Sequence, residues 1–240
     1  MKKASKDSLE KVTVIIPAYN EAKRILNVII PALKCKLVKE VIVIDDCSKD
    51  NTSEVVKSVK DKRLRLIRHK KNTGKTLALK DGVDNAKTKY ILFLDADLLN
   101  INPKDLERLI VPVTSKRIDV SLSIRKNSLW IYRLTGCDFV SGERCLPKEF
   151  MSDLWIKPNI GFGIEVLMNR KILKKKMSFA SIPCSFSNTM KKDKEGFFKG
   201  IKSEFKMLGQ INRALPLPIV LWQYFRMSCL SKRYRRLLRS

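Results

Sequence analysis

The chain has 240 residues, 44% apolar and 31% charged, which is enough to bury the core of one large domain and excludes a disordered chain. A formal net charge of +26 implies attraction to polyanions: nucleic acid, anionic lipid headgroups or phosphorylated substrates. One histidine, His69, nearly closes zinc-hydrolase and Ser-His-Asp chemistry, and six cysteines without a CxxC pair or metal-finger spacing fit reduced thiols in a cytosolic chain.

The start, MKKASKDSLEK, lacks the apolar stretch of a signal peptide, and no apolar run reaches the roughly 18 residues needed to span a bilayer. The expected location is therefore cytoplasmic. VTVIIPAYN (12–20) reads as a buried, β-branched strand leading into a turn, and EAKRILNVIIPAL (21–33) has helical spacing at Ile25, Ile29 and Leu33. VKEVIVIDDCS (38–48) is a second buried strand, and TSEVVKSVK follows as a helix with Ser48 or Asp50 as its cap. RLRLIRH is a third strand, GKTLALKDGVDNAK (74–87) an amphipathic helix and YILFLDAD a fourth strand. This alternation implies right-handed βαβ crossovers and an α/β fold with a mainly parallel sheet. Ligands bind such sheets at the carboxyl ends of the strands. Asn20, Glu21, Asp45, Asp46, Asn72, Lys75, Asp95 and Asp97 all fall at or just after such ends.

Several motif look-alikes fail on particular residues. HKKNTGKT has the tail of a phosphate-binding P-loop, but His69 stands where its first glycine belongs. DADLL resembles a phosphatase motif with a nucleophilic aspartate, yet its fifth residue is Leu99 and it lies after three strands. No GxGxxG follows the first strand, so a dinucleotide site is not supported. What remains is a D-x-D, Asp95 and Asp97, at a strand end. Hard carboxylate oxygens there suit Mg²⁺ or Mn²⁺, and an ion so held can bridge the diphosphate of a nucleotide. Two acidic residues at a strand end also serve as plain turn or cap residues, so the surrounding segments decide.

Those segments are VTVIIPAYNEAKRI, VIVIDDCSKDNTSEVV and NTGKTLALKDGVDNAKTKYILFLDADL. In this order and at these spacings, over about residues 12–100, they resemble the nucleotide-sugar domain of family 2 glycosyltransferases with a GT-A fold. NTGK and SGERC resemble, more narrowly, the polyprenyl-phosphate (dolichol-phosphate type) sugar transferases. The resemblance implies a Rossmann-like GT-A sheet flanked by helices, as one domain over 1–204, with 12–115 binding a UDP- or GDP-sugar and 116–204 receiving the acceptor. It assigns Pro17, Ala18, Tyr19 and Glu21 to the first nucleotide loop. Asp46 is assigned to the base or ribose with Asp45 supporting the same loop, and Lys75, after Gly74 at a helix start, to a phosphate or the base. Asp95 and Asp97 become the metal and diphosphate pair, with Asp97 the stronger direct ligand.

The second half is less legible. IDVSLSIR (118–125) suggests a strand ending in Arg125. In FVSGERCLPKEFM (139–151), which resembles the acceptor-side segment, Ser141-Gly142 should begin a turn or helix with Glu143 and Arg144 facing the cleft. NIGFGIEVLMNRKIL (159–173) reads as a glycine-rich turn opening a helix with Glu165 in its first turn. Arg125, Arg133 and Arg144 suit a phosphate-bearing acceptor, since guanidinium pairs phosphate oxygens bidentately. The family is expected to invert the anomeric centre by direct displacement. A hydroxyl acceptor then needs a general base, for which Asp138, Glu143 and Glu165 are candidates. The usual E-D pair is absent after the D-x-D, which favours a lipid phosphate that needs no strong base. Asp97, Glu165 and Arg144 are the expected catalytic residues.

From Phe205 to Ser240 the chain has no acidic residue but many basic ones, and ALPLPIVLWQYF (214–225) supplies apolar surface. A basic amphipathic tail over 205–240 that docks peripherally on the cytosolic membrane face fits this pattern. The same segment fits a helix packed on the core, and self-association is equally consistent. No nucleic-acid motif is present. Two other functions stay open: transfer to a saccharide or small-molecule hydroxyl, and a non-catalytic basic module binding membrane or nucleic acid on a GT-A scaffold.

Overall fold

The structure, a computed structural model, describes residues 9–155, 163–188 and 215–239. Its centre is a seven-stranded sheet. In chain order the strands and helices of the first part are β1 (Val12–Ala18), α1 (Leu26–Lys34), β2 (Val38–Asp45), α2 (Thr52–Ser58), β3 (Leu64–Arg68), α3 (Lys75–Asn85) and β4 (Tyr90–Phe93). There follow β5 (Leu98–Leu99), α4 (Pro103–Thr114), β6 (Val120–Ile124), α5 (Trp130–Thr135), β7 (Arg144–Pro147), α6 (Gly163–Lys174), β8 (Phe179–Pro183), β9 (Ser187–Asn188) and α7 (Leu217–Arg239). The sheet runs β3-β2-β1-β4-β7-β6-β8, and β5 pairs with β9 in a small ribbon. Every neighbouring pair in the sheet is parallel except those made by β7, which runs against both β4 and β6.

The strands are continuous apolar runs because helices cover both faces. Side chains alternate between two cores. Val14 and Ile16 of β1, Val41 and Val43 of β2, and Leu92 of β4 pack with Val28 and Ile29 of α1 and Leu106 and Leu109 of α4. Ile15, Ile42, Ile44, Ile91 and Phe93 pack on the other face with Ala78, Leu79 and Val83 of α3. A methyl group at Gly82 would sit 2.3 Å from Ile15 Cγ2, so only glycine lets α3 lie this close to β1.

Four local expectations are corrected. The first helix begins at Leu26, because residues after Glu21 form a turn in which Ile25 N donates to Glu21 O at 2.9 Å. The fourth strand stops at Phe93, so Asp95 and Asp97 sit in the loop beyond it. Residues 144–147 form a strand in the middle of the sheet, wedged between β4 and β6. Finally, α5 occupies a stretch for which the sequence suggested nothing. The predicted helix of 159–173 appears as α6, and the glycine-rich turn before it lies outside the described residues, as do Lys206 and Arg213. In α7, Pro218 lies in the first turn, where a missing N–H costs nothing. The helix buries Val220, Gln223, Met227 and Ser231, and Ser181 N of β8 donates to Ser231 Oγ at 3.0 Å. No described helix is long and apolar enough to cross a membrane.

Candidate active site

The β1–α1 and β2–α2 loops are tied together first. Pro17 and Ala18 stand opposite Ile44 and Asp45 in the ladder, and Asp46 N donates to Ala18 O at 2.9 Å. Asn20 adopts a left-handed φ of 57°, which asparagine tolerates, and its Oδ1 accepts from Lys49 N at 2.8 Å while Ser48 Oγ accepts from Asn20 N at 2.9 Å. Tyr19 is left exposed beside this clasp. Glu21 is held from both ends: Arg24 Nε donates to its Oε2 at 2.6 Å, and its N–H donates to Thr52 Oγ1 at 2.9 Å.

The paired aspartates divide their work. Asp45 is fully buried and folds the β2–α2 loop, accepting from Ser48 N at 2.9 Å and from the Ser53 hydroxyl, with Arg68 Nε 3.6 Å away. Asp46 reaches across to the β3–α3 loop. Its Oδ1 accepts from Thr73 N at 2.8 Å and Thr73 Oγ1 at 2.9 Å and lies 2.8 Å from His69 Nδ1, while its Oδ2 accepts from Gly74 N at 2.7 Å. Burial pushes the Asp46 carboxyl up, but these donors, led by the Thr73 N–H, outweigh it and hold it below the usual carboxylate range. Both its oxygens are engaged within the protein, and their effect is to fix Gly74, with φ 88°, and with it the first turn of α3. Sequence reasoning missed His69 and Thr73 as parts of this clasp; the polar HKKNT run between a strand and a helix was the available signal.

That turn carries Lys75 into the cleft. Its Nζ lies 2.8 Å from Asp95 Oδ1 and 3.0 Å from Glu165 Oε1, which brings together residues from α3, the loop after β4 and the start of α6. Burial works against the ammonium, but Asp95 and then Glu165 more than offset it and keep Lys75 charged well above the ordinary lysine range. Gly142 roofs the pair: a methyl group there would lie 3.0 Å from Lys75 Nζ and 3.1 Å from both Asp95 oxygens.

Arg125, at the end of β6, closes the other side. Its guanidinium lies 3.4 Å from Asp138 and 3.6 Å from Glu143. Burial opposes its charge, and Glu143, Asp138, Asp95 and Asp97, in that order, together hold it above the ordinary range. Glu143 is fully buried, and its Oε2 accepts from Ser123 Oγ and Ser141 Oγ, each at 2.7 Å. Burial and the nearby Asp95 raise its carboxyl above the usual range against the pull of Arg125.

The expectation that Arg144 faces the cleft is corrected, while Glu143, though buried, turns to Arg125. The Arg144 side chain is wholly buried and donates to Ser141 O and Phe139 O at 2.8 Å and to Asn169 Oδ1 at 2.7 Å. It pins the 139–144 turn onto α6, and burial lowers the stability of its charge. A polar side chain on the buried side of α6, Asn169, and two serines in an otherwise apolar β6 were the traces of this network in the sequence. Arg133 lies apart, exposed on α5.

Asp95, Asp138, Glu143 and Glu165 lie around Lys75 and Arg125, and the charge of Asp97 acts on Arg125 as well, so among these residues acid outnumbers base in a protein of net charge +26. Glu143 Oε1, Asp138 Oδ1 and Glu165 Oε2 are buried without a hydrogen-bond donor. This excess of hard oxygen donors fits a divalent cation. Among the described residues no three His, Cys, Asp or Glu side chains form a metal cage by themselves. An ion at Asp95 and Asp97 would therefore complete its shell with ligand oxygens, the usual habit of Mg²⁺ beside phosphates.

An uncharacterised protein of Methanocaldococcus jannaschii is 38% identical over 119 residues, 47% of this chain and 51% of its own. A dolichyl-phosphate beta-glucosyltransferase of Dictyostelium discoideum is 31% identical over 156 residues, 60% of this chain and 45% of its own. The chain thus spans about half the length of these curated relatives. Among solved structures, glucosyl-3-phosphoglycerate synthase of Mycobacterium tuberculosis, in complex with phosphoglyceric acid, superposes with a TM-score of 0.70 at 19% identity, covering 87% of this chain and 81% of that one. The same enzyme with Mn²⁺, UDP and glucosyl-3-phosphoglycerate gives 0.68 at 20% identity over the same shares. These likenesses establish the GT-A-type fold. The model of glycosyl transferase family 2 matches residues 13–175, and the chain belongs to that family.

Proposed function

We propose that this glycosyltransferase moves a sugar from a UDP- or GDP-sugar to a polyprenyl phosphate at the cytosolic face of a membrane, with inversion at the anomeric carbon. The observation that carries the reading is the D-x-D in the loop beyond β4, with Asp95 2.8 Å from Lys75 Nζ and the charges of Asp95 and Asp97 both acting on Arg125. Mn²⁺ or Mg²⁺ held by Asp97 and Asp95 would supply positive charge to the diphosphate as it leaves. The solved relatives containing Mn²⁺ or Mg²⁺ with UDP support that use. Tyr19 offers an exposed aromatic face for a base next to Pro17 and Ala18. Asp46 acts one step back, by holding the loop that delivers Lys75.

On the acceptor side, Arg125 is a buried guanidinium on which the D-x-D charges act, and it is suited to a phosphate. A phosphate oxygen attacks the anomeric carbon with its own charge as the bond to the nucleoside diphosphate breaks, so no proton has to be removed. Glu165 favours this reading over a hydroxyl acceptor. It is almost fully buried and paired with Lys75, a poor position for taking a proton from an incoming alcohol. The dolichyl-phosphate enzyme of Dictyostelium supports a lipid phosphate, and the phosphoglycerate-bound structures support a hydroxyl acceptor as the second reading.

The test offers the full chain labelled UDP-glucose, UDP-N-acetylglucosamine and GDP-mannose separately, with Mn²⁺ and with or without polyprenyl phosphate. Label that enters the organic phase only with the lipid, and is lost with EDTA, is the expected result. Nucleotide release without extractable label would move the acceptor to a hydroxyl.

A further inference from the structure

Two helices keep large apolar side chains in solvent. On α5, Trp130 is 72% and Leu134 70% exposed; on α7, Trp222 is 55% and Phe225 66% exposed. Isolated cases need no explanation, but these lie on neighbouring elements. Thr135 Oγ1 of α5 is 2.9 Å from the Tyr224 hydroxyl of α7, and the Tyr132 and Tyr224 rings are 5.6 Å apart. Helical spacing sorts α7 into two apolar faces. Val220, Gln223, Met227 and Ser231 turn to the core, while Leu217, Leu221 and Phe225 recur every fourth residue on an exposed stripe. That stripe borders Tyr224, the residue that touches α5.

Charge and position narrow what covers it. Residues 126–137 and 205–240 contain no Asp or Glu, and Lys126, Arg133, Arg226 and Lys232 are exposed along the two helices. The excursion bearing α5 begins at Arg125 and ends at Asp138, whose side chains meet at 3.4 Å, and Ser128 Oγ donates to Asp138 as well. The apolar surface therefore rises directly from the arginine on the acceptor side of the site.

We propose that α5 and the first half of α7 form one platform that enters the interfacial region of an anionic bilayer and turns the Arg125 side of the site toward lipid phosphate. The membrane contact stands on this surface alone; the delivery of a phosphate acceptor rests on the transferase reading above. Apolar side chains with a basic border and no acid are the pattern that such a leaflet binds.

The experiment sediments the full chain with vesicles of phosphatidylcholine, with and without phosphatidylglycerol, and measures UDP and GDP binding with Mn²⁺ in parallel. Wild type is expected to bind the anionic vesicles, and a Trp130→Glu/Trp222→Glu variant to bind about tenfold more weakly or less, with nucleotide binding unchanged. In wild type, lipids brominated on the acyl chain are expected to quench tryptophan fluorescence, a readout that needs no variant. Equal vesicle binding by the variant, or absent quenching, overturns the platform. A dimer seen by light scattering and broken by the same substitutions also overturns it, in favour of a second copy of this chain. Failure of wild type to bind either nucleotide sinks the transferase reading and leaves the vesicle result standing.

Discussion

The two halves of the cleft are built by different physics. On the β1–β3 side, polar groups at the strand ends are satisfied by short backbone hydrogen bonds. Asp45 and Asp46 accept from Ser48, Thr73 and Gly74 N–H groups, and Asn20 joins the neighbouring loop. On the β6–β7 side, the groups are longer-range ion pairs in a buried setting, and several carboxylate oxygens have no donor. Backbone donors fix a loop whatever occupies the site. Buried carboxylate oxygens without a donor suit a cation, so the second side is the better placed to respond to a bound ligand.

The largest effect is expected from Asp97→Asn. It should cut sugar transfer on the order of a hundred- to a thousandfold while far-UV circular dichroism stays unchanged. Full transfer by this variant would remove the metal–diphosphate role from the acceptor-facing side. Arg144→Ala comes next. It strands Ser141 O and Asn169 Oδ1 in the core and leaves Phe139 O with Asn169 Nδ2 alone, at a cost of about 3 kcal/mol, or roughly 6–10 °C in thermal unfolding. An unaltered melting temperature would mean that the buried network is not the scaffold of this half.

Gly142→Ala is expected to leave stability nearly intact but to shift the Lys75–Asp95 pair, lowering kcat about tenfold. The smallest effect separates the halves by pH. Asp46 titrates lower in the folded chain than its ordinary value near about 3.9, so its contribution is present above that pH and is lost as pH falls through the lowered folded value. Denaturant titrations of Asp46→Asn are expected to show about 1 kcal/mol less stability at neutral pH and a flatter acid limb than wild type. A parallel acid limb in both proteins would deny the loop clasp its electrostatic character.

The same contrast governs what the sequence made legible. β1, β2 and β4 are sequential, doubly covered strands, so their apolar runs announced the parallel sheet and the polar residues at its edge. β7 did not announce itself: four residues with an arginine at the start look like a turn, and only the reversal between β4 and β6 makes them a strand. The Lys75–Glu165 pair joins residues far apart in the chain, and no local pattern carries such a contact. In α7, Gln223, Ser228 and Ser231 occupy the buried face, which blurs the apolar period that would have separated its inner face from its outer one.

The reversed strand β7 also bears on motion. Its pairing with β4, in register from Tyr90↔Pro147 to Phe93↔Arg144, joins the β1–β3 side to the β6–β8 side inside one unbroken sheet. A seam of this kind opposes closure by swinging one half over the other and leaves gating to the loops at the rim. The amides of Ile91 and Leu146, which face each other across the seam, should be among the slowest in the protein to exchange with solvent.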